Sequence, residues 1–321
     1  MRVSDGTRTH DRLDHNQELY QLSYAHREWL NLAAGRGPAI ALCCNAAVTR
    51  HTLALPSAPV PVHVRDEGAG PPVLLLHGQP GTAGAWAPLC GRLREHARLI
   101  APDRPGYGAT GGPALGFAAN AHIAAELLDA LDVSEATVVG HSWGGGVAIA
   151  LAAARPKRVT GLVLLGSVGP CSSVDAADRL LARPLIGPAL TYATFRTLAR
   201  VLPLAAARGR VPGLQGLDAA AMDELLQNAD YWRSFLVEQR ALVRETPALD
   251  ANLERIEAPA SIVMGEKDFM VPPRVGRELA RRIPSAECTL VRGAGHVLPA
   301  EAPDAVAHAV LERVRGARPG P

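Results

Sequence analysis

Short apolar runs recur along the chain from about residue 51, and each of them predicts a β-strand. Uninterrupted apolar or β-branched runs are typical of strands buried on both faces, and they occupy residues 73–76, 137–139, 159–165 and 260–264. Shorter or alternating runs predict further strands at residues 51–55, 60–65, 98–101 and 288–291. The first two of these are joined by a Pro- and Ser-containing turn, so we expect them to form an antiparallel edge.

Segments with the apolar spacing of helices separate most of the predicted strands. They cover residues 82–95, 118–131, 143–154, 273–283 and 302–315. Strands that alternate with helices form βαβ units, in which the strands run parallel to one another. The pattern therefore predicts an α/β fold with a mostly parallel, doubly wound sheet.

The alternation stops between residues 169 and 250, where only helical patterns occur, at 174–183, 188–201, 218–227 and 231–244. A helical insertion between two strands predicts a cap over the carboxyl edge of the sheet, where open α/β sheets bind ligands. The predicted core then consists of residues 49–168 and 251–316. Seven apolar residues of the second cap region either line a substrate cleft or pack the cap onto the core: Leu185, Ile186, Leu190, Tyr192, Phe195, Leu198 and Leu202.

Residues 1–48 differ from the rest of the chain. They are polar, charged and His-bearing at first and then Gly- and Ala-rich, without a sustained strand or helix period. We expect a loose or non-native tail, because the segment resembles an out-of-frame translation. The natural start would then lie near residues 48–60, at a codon other than Met, since the next methionine after Met1 is Met222. The alternative is an ordered N-terminal arm.

Composition and charge narrow the classes of partner. Of the 321 residues, 48% are hydrophobic and 20% are charged, which is sufficient for a sizeable buried core. The net charge is only +2, so it favours neither a nucleic acid partner nor an anionic membrane. No uncharged apolar run approaches the roughly 20 residues of a membrane span, and the polar start does not resemble a signal peptide. We expect a small, hydrophobic substrate; the oligomeric state does not follow from the sequence.

The five cysteines, Cys43, Cys44, Cys90, Cys171 and Cys288, are odd in number and have no metal-like spacing. They predict free thiols in a reducing cytoplasm, with a vicinal Cys43–Cys44 disulfide as the alternative. The sequence contains no H-x-x-x-H pair, Cys cluster or phosphate loop, so we expect neither a metal nor a cofactor.

Residues 140–144, with the sequence G-H-S-W-G, lie between the predicted strand 137–139 and the helix that follows. In this G-x-S-x-G pattern the chain reverses sharply and exposes the hydroxyl of Ser142 at a helix N-terminus, where backbone N–H groups favour negative charge. A tight structural turn and a dinucleotide-binding loop are the alternatives, but Ser142 replaces the middle glycine that a dinucleotide loop requires.

A second informative loop, residues 77–81 with the sequence H-G-Q-P-G, follows the strand 73–76. An oxyanion hole needs two converging N–H donors, one after the nucleophile and one from a neighbouring loop, and Trp143 and Gln79 are the candidates. We expect His77 to fix this loop through hydrogen bonds. We also expect Asp103 and Arg104, in a later loop, to form a local ion pair.

Asp268 and His296 each follow a predicted strand, so both should meet Ser142 at one edge of a parallel sheet. A serine hydroxyl needs a base to remove its proton, and the base needs a carboxylate to hold its tautomer. The order Ser142, Asp268, His296 is that of one fold family with this geometry. Glu266 is an alternative carboxylate to hold the tautomer of His296. A further alternative is that neither residue is catalytic, in which case Asp268 is a solvated turn residue and His296 an ordinary loop histidine.

With these motifs in order, the chain from about residue 49 to 315 resembles a capped α/β-hydrolase with a serine nucleophile. The resemblance implies that Ser142 is the nucleophile, His296 the general base and then acid, Asp268 its orienting carboxylate, and Gln79 and Trp143 the oxyanion donors. The H-G-x-P-G loop is shared with epoxide hydrolases, whose nucleophile is an aspartate. Ser142 at that position favours acyl chemistry instead.

The resemblance therefore implies a serine hydrolase that cleaves a carboxylic ester or related small acyl substrate through an acyl-enzyme. Other reactions on the same fold stay open: cofactor-free haloperoxidase, C–C hydrolase, lyase or acyltransferase. A non-catalytic ligand receptor is the third class.

Overall fold

A computed structural model describes residues 48–207 and 231–316 of the chain. Within them a single sheet contains eight strands, in the spatial order β1-β2-β4-β3-β5-β6-β7-β8. The strands are β1 (Thr49–Leu53), β2 (Val62–Glu67), β3 (Pro72–Leu76), β4 (Arg98–Pro102), β5 (Ala136–His141), β6 (Val159–Leu165), β7 (Ala260–Gly265) and β8 (Ala286–Val291).

The sheet is parallel from β4 to β8, and only β1 and β2 are antiparallel to their neighbours. The prediction of an antiparallel edge on a mostly parallel sheet is confirmed. The bounds of β6 are as predicted, and those of the other strands differ from the predicted ones by at most two residues, because polar positions at strand ends still pair along the backbone. In the centre, β5 pairs with β3 on one side and β6 on the other, with Leu76 opposite Gly140 and His141 opposite Leu165.

Helices cover both faces of the sheet. Those of the core are α1 (Ala87–Leu93), α2 (Phe117–Ala130), α3 (Trp143–Ala154), α7 (Pro273–Arg282), α8 (Leu298–Glu301) and α9 (Pro303–Gly316). Successive side chains of a strand point to opposite faces. Val138 therefore packs with α2, α3 and α7, whereas Val139 packs with α1 and α9. The arrangement confirms the predicted doubly wound fold.

Between β6 and β7, the described residues form three α-helices: α4 (Ala176–Leu181), α5 (Ile186–Ala207) and α6 (Tyr231–Asn252). The described residues between these two strands contain no strand. The prediction that the last of these helices ends at Arg244 is wrong, since α6 continues through Pro247 to Asn252. Buried Leu249 packs into the core on that extra turn and compensates for the backbone hydrogen bond that Pro247 cannot donate.

The apolar side chains of α5 do not share one environment. Phe195 packs edge-on against Phe235 of α6, and Tyr192 packs against Trp232. Leu185, directly before α5, is however 92% exposed, and Ile186, Leu190 and Tyr192 within the helix are also exposed to solvent. Packing onto the core is therefore wrong for these four residues. The side chains of Leu198 and Leu202 and the predicted helix 218–227 lie outside what the structure describes.

The expectations for residues 1–48 and for the Cys43–Cys44 pair also lie outside the described residues. Cys90, Cys171 and Cys288 are free thiols. No helix in the described ranges is both long enough and apolar enough to cross a membrane.

Candidate active site

The sharp turn after β5 holds Ser142 in an unusual backbone conformation. Ser142 has φ 55° and ψ −118°, in a region that non-glycine residues rarely adopt. The turn is tight on both sides. A Cβ added to Gly140 would lie 2.5 Å from the carbonyl oxygen of Gly144, and one added to Gly144 would lie 2.2 Å from that of Leu76. The glycines of the G-x-S-x-G pattern are thus required by backbone contacts.

Replacing Gly144 with alanine is expected to lower the free energy of unfolding by about 2 kcal/mol or more, because backbone atoms of β3 must shift to admit the methyl group. Gly91 in α1 is the matched control, since nothing lies within 4 Å of an added Cβ there. Alanine at Gly91 should raise the free energy of unfolding by about 0.5–1 kcal/mol through helix propensity. Urea unfolding of both variants measures the difference, and equal effects would contradict the reason given for Gly144.

Side chains from three separate loops meet at the carboxyl edge of the sheet. Ser142 follows β5, Asp268 follows β7 and His296 follows β8. The Ser142 Oγ to His296 Nε2 distance is 2.9 Å, and the His296 Nδ1 to Asp268 Oδ2 distance is 2.8 Å. All three residues are buried, with 9%, 5% and 4% exposure for Ser142, His296 and Asp268. A hydroxyl, an imidazole and a carboxylate are thus linked by two hydrogen bonds.

Backbone donors fix the carboxylate of Asp268. Its Oδ1 accepts the N–H groups of Met270 and Val271, both at 2.9 Å, which leaves Oδ2 for His296. The competing carboxylate, Glu266, instead accepts the N–H of Gly293 at 2.8 Å. Of the two candidates, only Asp268 contacts the imidazole.

Two residues that sequence reasoning did not identify hold the backbone around His296. Glu301 accepts the N–H of Gly295 at 2.7 Å and that of Val297 at 3.0 Å. His141 Nε2 lies 2.9 Å from the carbonyl oxygen of His296. The only sequence signal for Glu301 is an acidic residue at the start of a helical segment, close behind the histidine.

The loop 77–81 lies against Ser142. A Cβ added to Gly78 would be 3.2 Å from the Cβ of Ser142, which is a tight contact, so the glycine eases the close approach of this backbone to Ser142. The side chain of Gln79 is directed to α6, where its Nε2 donates to Gln239 Oε1 at 3.1 Å. Among the hydrogen bonds of the loops and turns in the described ranges, no backbone oxygen accepts the N–H of Gln79 or the N–H of Trp143.

His77 is completely buried and fixes this loop, as its sequence position suggested. Its Nε2 accepts the backbone N–H of Arg104 at 3.0 Å, and its Nδ1 donates to the carbonyl oxygen of Gly78 at 2.9 Å. Burial, and then the nearby Arg104, lower the pKa of His77 well below its usual value. His77 is therefore neutral in the folded protein.

Acid is expected to destabilise the fold through His77 and His141. Burial, followed by the neighbouring His296, lowers the pKa of His141 to about 3. Below a pH of about 6.5 the unfolded chain binds protons that these folded histidines exclude, so the free energy of unfolding falls as the pH falls. For His141 the loss should be about 2 kcal/mol between pH 7 and pH 5, and His77 should add to it in the same direction.

Urea unfolding at both pH values measures this loss. The variant His141→Gln should show a smaller loss, because glutamine does not titrate. His308→Gln, which removes an exposed histidine of α9, is the control and should leave the loss unchanged. A free energy of unfolding of the wild type that does not change with pH would contradict the assignment.

Arg104 pairs with a residue far away in the sequence, so the predicted local ion pair with Asp103 is wrong. Arg104 Nη1 contacts Glu238 Oε1 of α6, and both side chains are buried. Asp103 instead accepts the N–H groups of Ala83 at 2.7 Å and Ala109 at 2.9 Å. Burial raises the pKa of Glu238, while its contacts with Arg104 and Tyr107 oppose this rise.

A cavity of about 300 Å³ lies away from Ser142, between α2, the second half of α3 and the end of α6. Its wall is formed mainly by alanines, with Phe117, Ile149 and Leu249, and its polar residues include Arg155 and Glu245. No residue of the Ser142 site lines it. Among the described residues, no group of three or more His, Cys, Asp or Glu side chains is placed to hold a metal ion.

A family model described as the alpha/beta hydrolase fold matches residues 71–303 of the chain. The chain belongs to the α/β-hydrolase family. The match includes Ser142, Asp268 and His296, and it confirms both the fold class and the family indicated by the motifs. Curated relatives of the chain include a haloalkane dehalogenase and a semialdehyde hydrolase, so the chain is a hydrolase of the α/β-hydrolase superfamily.

Among curated proteins, the chain is 32% identical over 262 residues to 2-hydroxymuconate semialdehyde hydrolase from Pseudomonas putida, covering 73% of this chain and 83% of that protein. Among solved structures, haloalkane dehalogenase DbeA from Bradyrhizobium elkani is similar with a TM-score of 0.70 and 25% identity, over 84% of this chain and 99% of that one. A thermophilic esterase from Thermogutta terrifontis is similar with a TM-score of 0.66 and 23% identity, over 84% and 100% of the two chains.

Proposed function

We propose that this protein is a serine hydrolase that cleaves a carboxylic ester or a related small acyl substrate through an acyl-enzyme intermediate. The observation that carries the proposal is the pair of hydrogen bonds that links Ser142 to His296 and His296 to Asp268. A base beside the hydroxyl and a carboxylate behind the base are what a serine needs to attack a carbonyl carbon.

In the proposed first step, Ser142 Oγ attacks the acyl carbon while His296 Nε2 takes the hydroxyl proton. Asp268 accepts a hydrogen bond from Nδ1–H and stabilises the imidazolium that forms. His296 then gives the proton to the departing alcohol oxygen, which leaves an ester on Ser142. Water attacks that ester while His296 takes its proton, and the bond between the acyl carbon and Ser142 Oγ then breaks. The acid leaves, and His296 returns the proton to Ser142 Oγ.

Both tetrahedral intermediates carry negative charge on the former carbonyl oxygen. The N–H of Trp143, at the start of α3, and that of Gln79, in the loop after β3, are the proposed donors. Support comes from the closeness of Gly78 to Ser142 and from the free positive end of the helix dipole at Trp143. Donors fixed in this way favour the charged intermediate over the uncharged substrate.

The nucleophile argues against dehalogenation and epoxide opening as the main activity. Attack of a carboxylate on an alkyl carbon gives an ester that water can hydrolyse. Attack of Ser142 on the same carbon would give an ether, which an activated water molecule does not cleave, and turnover would stop. The similarity to a haloalkane dehalogenase therefore supports the fold and not that reaction.

Hydrolysis of a C–C bond is the second candidate, favoured by the 32% identity to 2-hydroxymuconate semialdehyde hydrolase. A serine site can also cleave such a bond if the substrate first becomes a ketone whose carbonyl the enzyme can attack.

The helices between β6 and β7 are the proposed cap that selects the substrate. The apolar side chains of these helices support a hydrophobic substrate. The cytoplasmic location stays a prediction.

A substrate panel separates these candidates. It contains p-nitrophenyl esters of acetate, butyrate and octanoate, a lactone, an amide, a chloroalkane, an epoxide and 2-hydroxymuconate semialdehyde. The proposal predicts turnover of at least one ester, lost in Ser142→Ala, and no release of chloride. Turnover of the semialdehyde alone would favour the second candidate, and turnover of the chloroalkane or epoxide alone would contradict both.

A further inference from the structure

A buried arginine lies behind the loop that carries the Gln79 N–H. Arg104 is 2% exposed and donates from Nη2 to the carbonyl oxygen of Gly78 at 2.9 Å and from Nε to that of His77 at 3.1 Å. His77 Nδ1 donates to the same Gly78 oxygen at 2.9 Å. Two donors, one of them charged, therefore fix the direction of the Gly78 carbonyl.

The direction of this carbonyl determines the direction of the Gln79 N–H. Within the described ranges the only cis peptide bond joins Gln79 to Pro80, so the preceding peptide is trans and its C=O and N–H point in opposite directions. Because Arg104 holds the C=O on its own side of the loop, the N–H is turned to the other side. Gly78 packs against Ser142, so this peptide lies beside the nucleophile.

The same guanidinium contacts the residue that carries the second N–H. The Cζ atom of Arg104 lies 4.5 Å from the centre of a Trp143 ring. Its ion-pair partner, Glu238, is fully buried, accepts the hydroxyl of Tyr107 at 2.7 Å and offers its backbone oxygen to Trp143 Nε1 at 3.4 Å. Only a planar guanidinium can bind two carbonyls and a carboxylate while it stacks on a ring.

We propose that Arg104 is a positioning residue for the oxyanion hole and that Glu238 ties this geometry to helix α6. The inference rests on the proposed function, because a directed N–H matters only if a negatively charged oxygen forms beside Ser142. Arg104 is buried behind the loop, so it is not placed to contact a substrate directly. Its effect passes through the two peptide units that it holds and through the ring of Trp143.

The test compares Arg104→Met with the double variant Arg104→Met/Glu238→Gln and with Glu238→Gln alone. Both variants without the guanidinium should lose about 100-fold in kcat for the preferred p-nitrophenyl ester, with little change in KM, because misplaced oxyanion donors affect the transition state and not substrate binding. Glu238→Gln should lose less kcat than the two variants without the guanidinium, since Arg104 still holds both carbonyls and the glutamine oxygen can still accept a hydrogen bond from it. Arg104→Lys, which keeps the charge but not the fork, should be intermediate.

The double variant separates positioning from stability. It carries no unpaired buried charge, so it is the form to measure if Arg104→Met alone does not fold. Arg98→Met is the matched control, because it breaks the ion pair with Asp66 at the β2–β4 edge, where the Arg98 Nη2 to Asp66 Oδ2 distance is 2.7 Å. Its kcat should be close to that of the wild type.

A p-nitrophenyl phosphonate that reacts with activated serines provides an independent readout, since its reaction also develops charge in the oxyanion hole. The rate at which it labels the double variant should fall by about the same factor as kcat. A folded double variant with wild-type kcat and labelling rate would overturn the positioning role and leave the proposed function intact. A wild-type protein that neither labels nor turns over any ester would refute the proposed function itself, and this inference with it.

Discussion

Ser142→Ala is expected to lower the turnover of the preferred ester by about 10⁴- to 10⁶-fold. Without the hydroxyl no acyl-enzyme can form, and the donors for the oxyanion can assist only the slow direct attack of water. The steady-state rate of p-nitrophenol release measures the loss. KM is expected to change little, because the substrate still fits the same site.

The variant should fold as the wild type does. Alanine is no more strained than serine at φ 55°, and the substitution removes only the hydrogen bond to His296. Ser261→Ala is the matched control, since Ser261 is also buried but lies within β7. Near wild-type turnover in a folded Ser142→Ala protein would show that the reaction does not pass through this hydroxyl.

Asp268→Asn is expected to lower kcat by about 10⁴-fold with the geometry of the site preserved. The amide oxygen can still accept the two N–H groups of Met270 and Val271, which places the NH₂ group against His296 Nδ1. That nitrogen must then act as the acceptor, so the proton moves to Nε2, which can no longer take a proton from Ser142. The loss comes from the wrong tautomer of His296.

Glu266→Gln is the control for this experiment. Glu266 lies in the same loop as Asp268 but accepts the N–H of Gly293, so its substitution should leave kcat near the wild-type value. The kcat of both variants is measured on the same ester over the pH range in which the fold is stable. A greater loss in Glu266→Gln than in Asp268→Asn would reverse the roles that we propose for the two carboxylates.

Much of the fold was predictable because its strands are short apolar runs with few competing interpretations. The run that became β6 is apolar on both faces, as a central parallel strand must be. The meeting of Ser142, Asp268 and His296 was predictable for the same reason. Each follows a parallel strand, and the carboxyl ends of such strands share one edge of the sheet.

The contacts that support the site were not predictable, because they join residues without a local pattern. Arg104 and Glu238 lie 134 residues apart in the sequence, and no periodicity marks either as buried. The prediction of an ion pair with Asp103 used sequence proximity, whereas backbone N–H groups already occupied that carboxylate. The predicted helix 231–244 was likewise too short, because tertiary packing continues α6 through Pro247.

One measurement tests whether Ser142 is an activated nucleophile. The folded protein is treated with an organophosphonate that reacts with activated serines, and its intact mass and peptide masses are then determined. We expect a single adduct, located on the peptide that contains Ser142, formed slowly in Asp268→Asn and absent from Ser142→Ala. No adduct on the folded wild type, or the same adduct at full rate on Ser142→Ala, would contradict the proposed function.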